Sequence, residues 1–344
     1  MGSRLERFCL EASGYRKDTA TAVGASAAEI DPTAIRARSP WKLFWRQIRE
    51  DKLAFASMIF IALLVIIALA APLVVDLVGA PAPDERDTGA LDPVFSTATG
   101  PSGDHYFGVD QIGRDIFSRT LYGARVSLIV AVAATIIATI AGIVAGLLAG
   151  YFRGITDTVI SRSIDVLLAI PYLLLATGLA AACTLGDPKD PSQSGCFGGA
   201  IQPGVGVVIF VISFTSWTYM ARIVRGQTLS LREKEFVEAA RAGGASNWRI
   251  IFREILPNLT APIVVYASIL LPQVILYEAA LSFLGVGVND QPSWGQMIAD
   301  ASGLFPDSWW YMFFPGMALL MTVLAFNLIG DAMQDALNPK TKRK

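Results

Sequence analysis

Residues 126–152 read VSLIVAVAATIIATIAGIVAGLLAGYF and contain no charged side chain. A helix needs about 20 mostly apolar residues to cross a bilayer, so this stretch is long enough to span one. Small residues recur at every fourth position in it, at Ala134, Ala138, Gly142, Gly146 and Gly150. Small side chains on one helix face let a second helix approach closely. The stretch therefore predicts a central helix of a membrane-embedded bundle.

Five other windows also have the length and apolar character of a membrane span. By residue number they are 53–75, 166–186, 191–221 with its apolar part from about 205, 257–288 and 308–330. The chain has 344 residues and 53% hydrophobic side chains, more than a soluble core of that length needs. The windows predict an all-α membrane protein with six transmembrane helices.

Lysine and arginine collect in alternate connections between the windows. Segments 41–53, 153–164, 222–257 and 332–344 hold 17 of them, whereas segments 76–125, 186–204 and 288–312 hold five. Basic residues are concentrated in the short cytoplasmic loops of membrane proteins. The first group is therefore predicted to be cytoplasmic, and both termini with it.

The chain divides into four regions on this interpretation. Residues 1–40 combine Ala, Ser and Thr with scattered charge and predict a mostly disordered cytoplasmic tail. Residues 41–75 hold an aromatic and basic interfacial segment followed by the first span. Residues 76–125 form an external segment, and residues 126–340 form a core of five spans with a cytoplasmic loop at 226–257.

Sequence features of an independent catalyst are missing from the chain. It has no Gly-rich loop ending in Gly-Lys-Ser or Gly-Lys-Thr, no paired metal ligands, and one histidine, His105. A net charge of −1 with dispersed basic residues argues against a nucleic-acid partner. We expect a non-enzymatic chain, surrounded by lipid and without its own metal or cofactor. Its energy source is then an ion gradient, a partner protein or none.

Polar positions near the spans predict local contacts. Arg162 and Asp165 are three apart and are predicted to form a structural ion pair near the cytoplasmic boundary, before a kink that Pro171 permits. Glu278 lies some 20 residues past Pro257, near the outer end of its helix. A gate or helix-end contact is therefore favoured over ion coupling at Glu278.

Cys183 and Cys196 bracket one external loop that is rich in Gly, Pro and Ser. They are either two unrelated thiols or a disulfide. Disulfides persist in oxidising compartments, and only this pair could meet one. The shared external loop favours the disulfide.

The cytoplasmic segment between the fourth and fifth spans predicts two short helices. The first runs from about Leu231 to Ala242 and is stopped by two glycines. The second follows Ser246, a good N-cap residue, and ends at Pro257. Its apolar residues recur at i, i+3, i+4 and i+7, as Trp248, Ile251, Phe252 and Ile255. Amphipathicity alone would equally fit a helix pair lying on the membrane surface.

The residues of this segment resemble the EAA loop of bacterial ABC importer permeases. Residues 238–240 read EAA, Gly244 follows after three residues, and residues 255–257 read ILP. The family usually has Ile at the position of Glu254, a minor departure. In the family this loop is the coupling helix that docks into a cleft of the ATPase subunit. The resemblance assigns ATPase coupling to Glu238, Ala239, Ala240, Gly243, Gly244, Trp248, Arg249, Ile255, Leu256 and Pro257.

Further stretches narrow the resemblance to the second permease subunit of the oligopeptide and dipeptide group. They are FGVD at 107–110, GRD at 113–115, EAALSFLG at 278–285, PSWG at 292–295 and FNLIGD at 326–331. The resemblance covers about residues 41–340 and implies a type I ABC importer permease fold. It also implies an external gate at Glu278, Gly285, Trp294 and Gly295.

The same resemblance implies the partners of the chain. A second permease subunit, two ATPase subunits that bind ATP and Mg, and an external solute-binding protein would complete the importer in the bacterial cytoplasmic membrane. Its cargo would be di- or oligopeptides, or another solute of the group such as nickel or a glutathione-like molecule.

Two other functions fit a chain of six spans. An ion-coupled secondary transporter is expected to carry inverted repeats and ionisable sites at the membrane midplane, and the sequence has no convincing repeat. A membrane scaffold would carry no solute. Solute-stimulated ATP hydrolysis by the assembled complex would distinguish the importer from the scaffold.

Overall fold

The computed structural model describes residues 49–95, 97–184, 195–197, 199–288 and 291–337. The tail predicted at residues 1–40 lies outside them. Regular structure within the described ranges is helical, apart from isolated β-bridges that join Val109 to Asp115 and Cys196 to Ile201. The all-α prediction is confirmed for this part of the chain.

The helices are numbered here in chain order. They are α1 (Lys52–Leu69), α2 (Ala71–Val78), α3 (Ile116–Phe152), α4 (Gly154–Ala169), α5 (Tyr172–Thr184), α6 (Val205–Arg232), α7 (Glu235–Ala242), α8 (Asn247–Phe283), α9 (Trp294–Ala301) and α10 (Trp309–Leu337). A 3₁₀ turn at Thr88–Ala90 lies between α2 and α3.

Five of the described helices, α1, α3, α6, α8 and α10, are each long and apolar enough to cross a membrane. Helices α4 and α5 meet at an angle of 94° and together make a sixth, broken span. Ile170 has an extended backbone at the break, as expected for the residue before Pro171. The six predicted spans are therefore present, with the predicted kink much sharper than a simple bend.

Helix α3 begins ten residues before the charge-free window that predicts it. Asp115 is its N-cap, because the carboxylate accepts a hydrogen bond from the Ser118 N–H at 2.7 Å. Helix α3 therefore extends beyond the apolar window into the region between α2 and α3. Charge-free windows miss such extensions, since polar helical turns outside the hydrocarbon cost little.

The small residues of α3 pack directly against α6. A Cβ atom added to Gly142 would lie 2.6 Å from the Met220 Cβ, and one added to Gly146 would lie 2.7 Å from the Ala221 carbonyl oxygen. At Gly150 the Thr228 Cβ would be 2.7 Å away. Contacts this short leave no room for a side chain. The predicted close packing of α3 within the bundle is confirmed.

The prediction that Pro257 ends its helix is wrong. Residues Ile250–Ile255 form a π-helical turn, Leu256–Leu259 a 3₁₀ turn, and the helix continues to Phe283. Pro257 falls in the first turn of the 3₁₀ element, where the N–H that proline lacks is not needed. The change of hydrogen-bond pattern thus carries α8 past the proline.

The predicted ion pair between Arg162 and Asp165 does not form. Asp165 instead accepts a hydrogen bond from the Arg222 Nη2 at 3.0 Å. One turn along α6, the Arg225 Nη2 donates to Asp157 at 2.8 Å. Because Arg222 and Arg225 share one face of α6, both ion pairs join α6 to α4 instead of bridging within α4.

Cys183 and Cys196 form a disulfide, with Cα atoms 4.6 Å apart. The bond joins the end of α5 to the short stretch before α6. Cys196 also forms the isolated bridge with Ile201. The broken span is thereby attached to the neighbouring helix α6 through a covalent link as well as through packing.

Candidate functional site

The predicted coupling segment, residues 235–257, is a helix–turn–helix. Helix α7 ends in a Schellman motif, in which the Ala245 N–H donates to the Ala240 carbonyl at 3.0 Å and the Gly244 N–H donates to the Arg241 carbonyl at 3.0 Å. Gly244 has φ +77°, a conformation that glycine adopts without strain. Ser246 then caps α8 by accepting from the Arg249 N–H at 3.4 Å.

One face of the coupling segment is anchored in the bundle. Val237, Ile250, Ile251 and Ile255 are fully buried and pack in one cluster with residues of α3 and α6. Ile255, which the resemblance assigned to ATPase coupling, is therefore part of the anchor. Leu256 and Ala240 are half-buried beside it, and Pro257 is exposed.

The opposite face of the coupling segment exposes large aromatic side chains. Trp248 and Phe252 are each 57% exposed and stack with ring centroids 5.9 Å apart, and Phe236 is also exposed. The predicted apolar face is thus wrong in part, because Ile251 and Ile255 are buried while Trp248 and Phe252 are not. The exposed residues of the predicted coupling set surround these rings: Glu238, Ala239, Gly243, Gly244 and Arg249.

Residues at the end of α3 hold the coupling segment, and the sequence did not predict them. The Tyr151 hydroxyl donates to the Asn247 side-chain oxygen at 2.9 Å. The Phe152 and Trp248 rings meet edge to face, with centroids 6.2 Å apart. The Arg232 guanidinium donates to the Tyr151 carbonyl and lies 5.9 Å from the centroid of its ring. Their only sequence signal is an aromatic pair at the end of an apolar window.

At the other end of α3 lies Glu278, the first residue of the predicted gate. Its carboxylate is fully buried and accepts hydrogen bonds from the Ser127 hydroxyl at 2.7 Å and the Ser282 hydroxyl at 2.8 Å. Ser127 belongs to α3, and Glu278 and Ser282 belong to α8. A carboxylate that accepts hydroxyl protons from both helices ties them together inside the protein.

Helix α9 is wedged between α3 and α8 beside this carboxylate. Trp294 is fully buried and its Nε1–H donates to the Thr120 carbonyl at 3.0 Å. A Cβ on Gly295 would lie 2.3 Å from the Ala279 carbonyl oxygen, so backbone meets backbone there. Gly285 has φ +78° with open space around it, so its glycine is required by conformation and not by packing.

Helix α3 contacts both groups of predicted site residues. Thr120 and Ser127 bind the gate residues, and Tyr151 binds the coupling segment. From Thr120 to Tyr151 the helix rises about 45 Å at about 1.5 Å per residue. One continuous helix therefore joins the coupling segment to the residues predicted to form a gate. Within the described ranges, no cluster of three or more His, Cys, Asp or Glu side chains could hold a metal ion.

Two family models match the chain. The model for the binding-protein-dependent transport system inner membrane component matches residues 142–343. The model for the N-terminal TM domain of oligopeptide transport permease C matches residues 39–91.

Curated relatives align with most of the chain. The oligopeptide transport system permease protein OppC of Escherichia coli K12 is 40% identical over 310 residues, 90% of this chain and 94% of OppC. The dipeptide transport system permease protein DppC of Alkalihalophilus pseudofirmus is 38% identical, covering 88% and 91%. The glutathione transport system permease protein GsiD of Escherichia coli O6 is 39% identical, covering 89% and 92%.

A solved structure shares the fold. The MetNI methionine ABC transporter in an inward-facing conformation matches with a TM-score of 0.51 and 19% identity, covering 65% of this chain and 98% of the matched chain. The type I permease fold that the resemblance implied is therefore confirmed. On this evidence the chain is a multi-pass membrane protein that belongs to the family of binding-protein-dependent transport system inner membrane components, the permease subunits of ABC importers.

Proposed function

We propose that this chain is one of two permease subunits of an ABC importer that passes di- or oligopeptides across the bacterial cytoplasmic membrane. The chain itself is non-catalytic. A second permease subunit, two ATPase subunits that bind ATP and Mg, and an external solute-binding protein complete the complex. The proposal is supported by relatives, named for oligopeptide and dipeptide transport, that align with about nine-tenths of the chain.

The observation that carries the proposal is the two-sided coupling segment. Its isoleucines are anchored against α3 and α6, while Trp248 and Phe252 are exposed. Large exposed aromatic side chains beside charged ones are typical of surfaces that bind another protein. An ATPase subunit that contacts this face differently in its nucleotide-bound and nucleotide-free states would shift the permease between conformations.

Helix α3 would carry that shift to the external gate. It is bonded to Asn247 of the coupling segment and to Glu278 and Trp294 of the gate. A movement of the coupling segment therefore acts on a helix that directly contacts the gate residues. Gly285, with its positive φ, lies between α8 and α9 and would let the chain turn there as the gate moves.

The proposed orientation places both termini in the cytoplasm, on the strength of the 17-to-5 division of basic residues. Single cysteines at Lys234 and Asp307, introduced into a variant without Cys9, test it in whole cells. A membrane-impermeant thiol reagent should label the cysteine at 307 and not the one at 234. The reverse pattern would invert the topology.

Uptake by the reconstituted complex tests the function. The chain, its partner permease and the ATPases are placed in vesicles with the solute-binding protein, and accumulation of a labelled tripeptide is measured with and without ATP. We expect ATP-dependent accumulation that an ionophore does not abolish. Uptake that follows an ion gradient without ATP would identify a secondary transporter instead.

Glutathione is the second candidate solute, because the relative GsiD is named for glutathione transport. The same vesicles distinguish the two when tripeptide and glutathione compete for uptake. Preferential accumulation of glutathione, or of nickel, would keep the importer and change its cargo.

A further inference from the structure

A groove between α1, α3 and α10 is apolar except at one end. It encloses about 460 Å³. Helix α3 lines it from Arg125 to Ile136, α1 contributes Val65 and Leu69, and α10 contributes Phe326. Arg125 is the only charged residue that lines the groove, within the part of the chain that the structure describes.

Arg125 is exposed and has no hydrogen-bond or ion-pair partner among the described residues. The neighbouring arginine, Arg119, differs because it is buried and donates to the Pro83 carbonyl at 3.3 Å. A guanidinium beside apolar surface is unfavourable unless it meets water or an anion. The groove therefore presents a free cation at one end of an apolar channel.

The position of Arg125 along α3 sets its depth in the membrane. From Arg125 to Phe152 the helix rises about 40 Å, which matches a bilayer of about 40–45 Å including headgroups. The far surface is marked by the exposed ion pair of Arg153 with Glu233, directly after α3. Arg125 therefore lies in the headgroup layer on the side of residues 79–115.

The length of the groove matches one leaflet. Its α3 wall, from Arg125 to Ile136, rises about 16 Å. Half of a hydrocarbon core of about 30 Å is nearly the same length. The groove thus begins at the level of lipid phosphates and ends near the midplane, as one acyl chain of a phospholipid does.

We propose that this groove is a binding site for one anionic phospholipid, with the phosphate on Arg125 and an acyl chain along the groove wall. Arginine binds phosphate through paired N–H donors and remains charged in the headgroup layer. A phosphatidylglycerol headgroup adds no cation, whereas the ammonium of phosphatidylethanolamine would place a like charge near Arg125. Phosphatidylglycerol is therefore the preferred occupant.

Native mass spectrometry of the assembled, delipidated complex tests the site. Phosphatidylglycerol or phosphatidylethanolamine is added back in mild detergent, and bound lipid is counted per complex. We expect Arg125→Gln to weaken phosphatidylglycerol binding about tenfold. Arg125→Lys should retain most of the binding, and Ala133→Phe should abolish it by filling the groove while Arg125 remains.

Matched variants control for charge and bulk. Arg86→Gln removes an exposed arginine outside the groove, and Leu63→Phe enlarges an exposed side chain of α1 outside it. Both should bind lipid as the unmodified chain does. Unchanged binding by Arg125→Gln, or an equal loss with Arg86→Gln, would overturn the proposal. So would a photocrosslinker at Val132 that captures a protein subunit in place of lipid.

Discussion

The two ends of α3 differ in how their contacts are completed. At the gate end, the Glu278 carboxylate and the Trp294 indole each find a hydrogen-bond partner inside the same chain, and both residues are fully buried. At the coupling end, one hydrogen bond from Tyr151 holds a segment whose Trp248 and Phe252 remain exposed. The gate end is complete in this chain, whereas the coupling end presents a surface to another protein. Substitutions at the gate end should therefore reduce stability, and those at the coupling end should reduce assembly and transport.

The largest effect on stability is expected from Gly295→Leu. The new Cβ would lie 2.3 Å from the Ala279 carbonyl oxygen and 2.6 Å from the Ala279 Cα, so the backbones of α9 and α8 must separate. Overpacking of this kind costs about 1–3 kcal/mol or more. A clear fall in thermal stability of the purified complex is expected. Gly303→Leu is the control, since nothing lies within 4 Å of its Cβ position. Equal stability of the two variants would show that α9 is not wedged.

Glu278→Ala should have the next largest effect. It leaves the Ser127 and Ser282 hydroxyls without their acceptor, and each buried unsatisfied group costs about 1–3 kcal/mol. Glu278→Gln keeps one acceptor oxygen and should lose less. Chemical or thermal unfolding of the detergent-solubilised complex measures both. If the alanine variant is as stable as the glutamine variant, the two hydroxyl bonds do not hold α8 to α3.

At the coupling end, the double change Trp248→Ala and Phe252→Ala should leave the stability of the chain nearly unaltered. Both side chains are more than half exposed. Truncating an aromatic side chain at the centre of an interface commonly costs about 2 kcal/mol or more of binding. The ATPase subunits should therefore co-purify poorly. Trp309→Ala removes an exposed tryptophan at the start of α10 and should leave co-purification intact.

Glu238→Ala should have the smallest effect. The side chain is exposed, and an exposed charge contact is worth about 1 kcal/mol or less. Uptake should fall by no more than a few fold while the ATPases remain bound. A complete loss of uptake would mean that Glu238 is buried in the assembled complex.

The spans and the coupling motif could be predicted from the sequence because both signals are local. Hydropathy identifies an apolar helix within one window, and the EAA, glycine and ILP residues lie within 20 positions of one another. The close packing of α3 followed in the same way from the spacing of its glycines. A local pattern suffices when the residues that produce a feature also lie together in the chain.

Contacts between distant segments could not be predicted. Asp165 pairs with Arg222, Trp294 with Thr120 and Glu278 with Ser127, each across a long separation in the sequence. The error at Trp248 and Phe252 has a different cause, because the predicted face assumed an ordinary α-helical period. The π-helical turn at Ile250–Ile255 changes that period and directs Ile250, Ile251 and Ile255 inward.

The most direct test of the coupling segment is uptake and ATP hydrolysis by a complex with Gly244→Trp. Gly244 has φ +77° and open space around its Cβ position, so the new side chain should cost the chain only about 1–2 kcal/mol while projecting from the exposed face. Gly79→Trp is the matched control, with φ +72°, open space and a position at the other end of the bundle.

In reconstituted vesicles we expect Gly244→Trp to insert and assemble with the partner permease, yet to reduce peptide uptake to background and to remove the stimulation of ATP hydrolysis by solute. Gly79→Trp should transport normally. Normal uptake by Gly244→Trp with its ATPase subunits bound would contradict the assignment of residues 235–257 as the coupling segment.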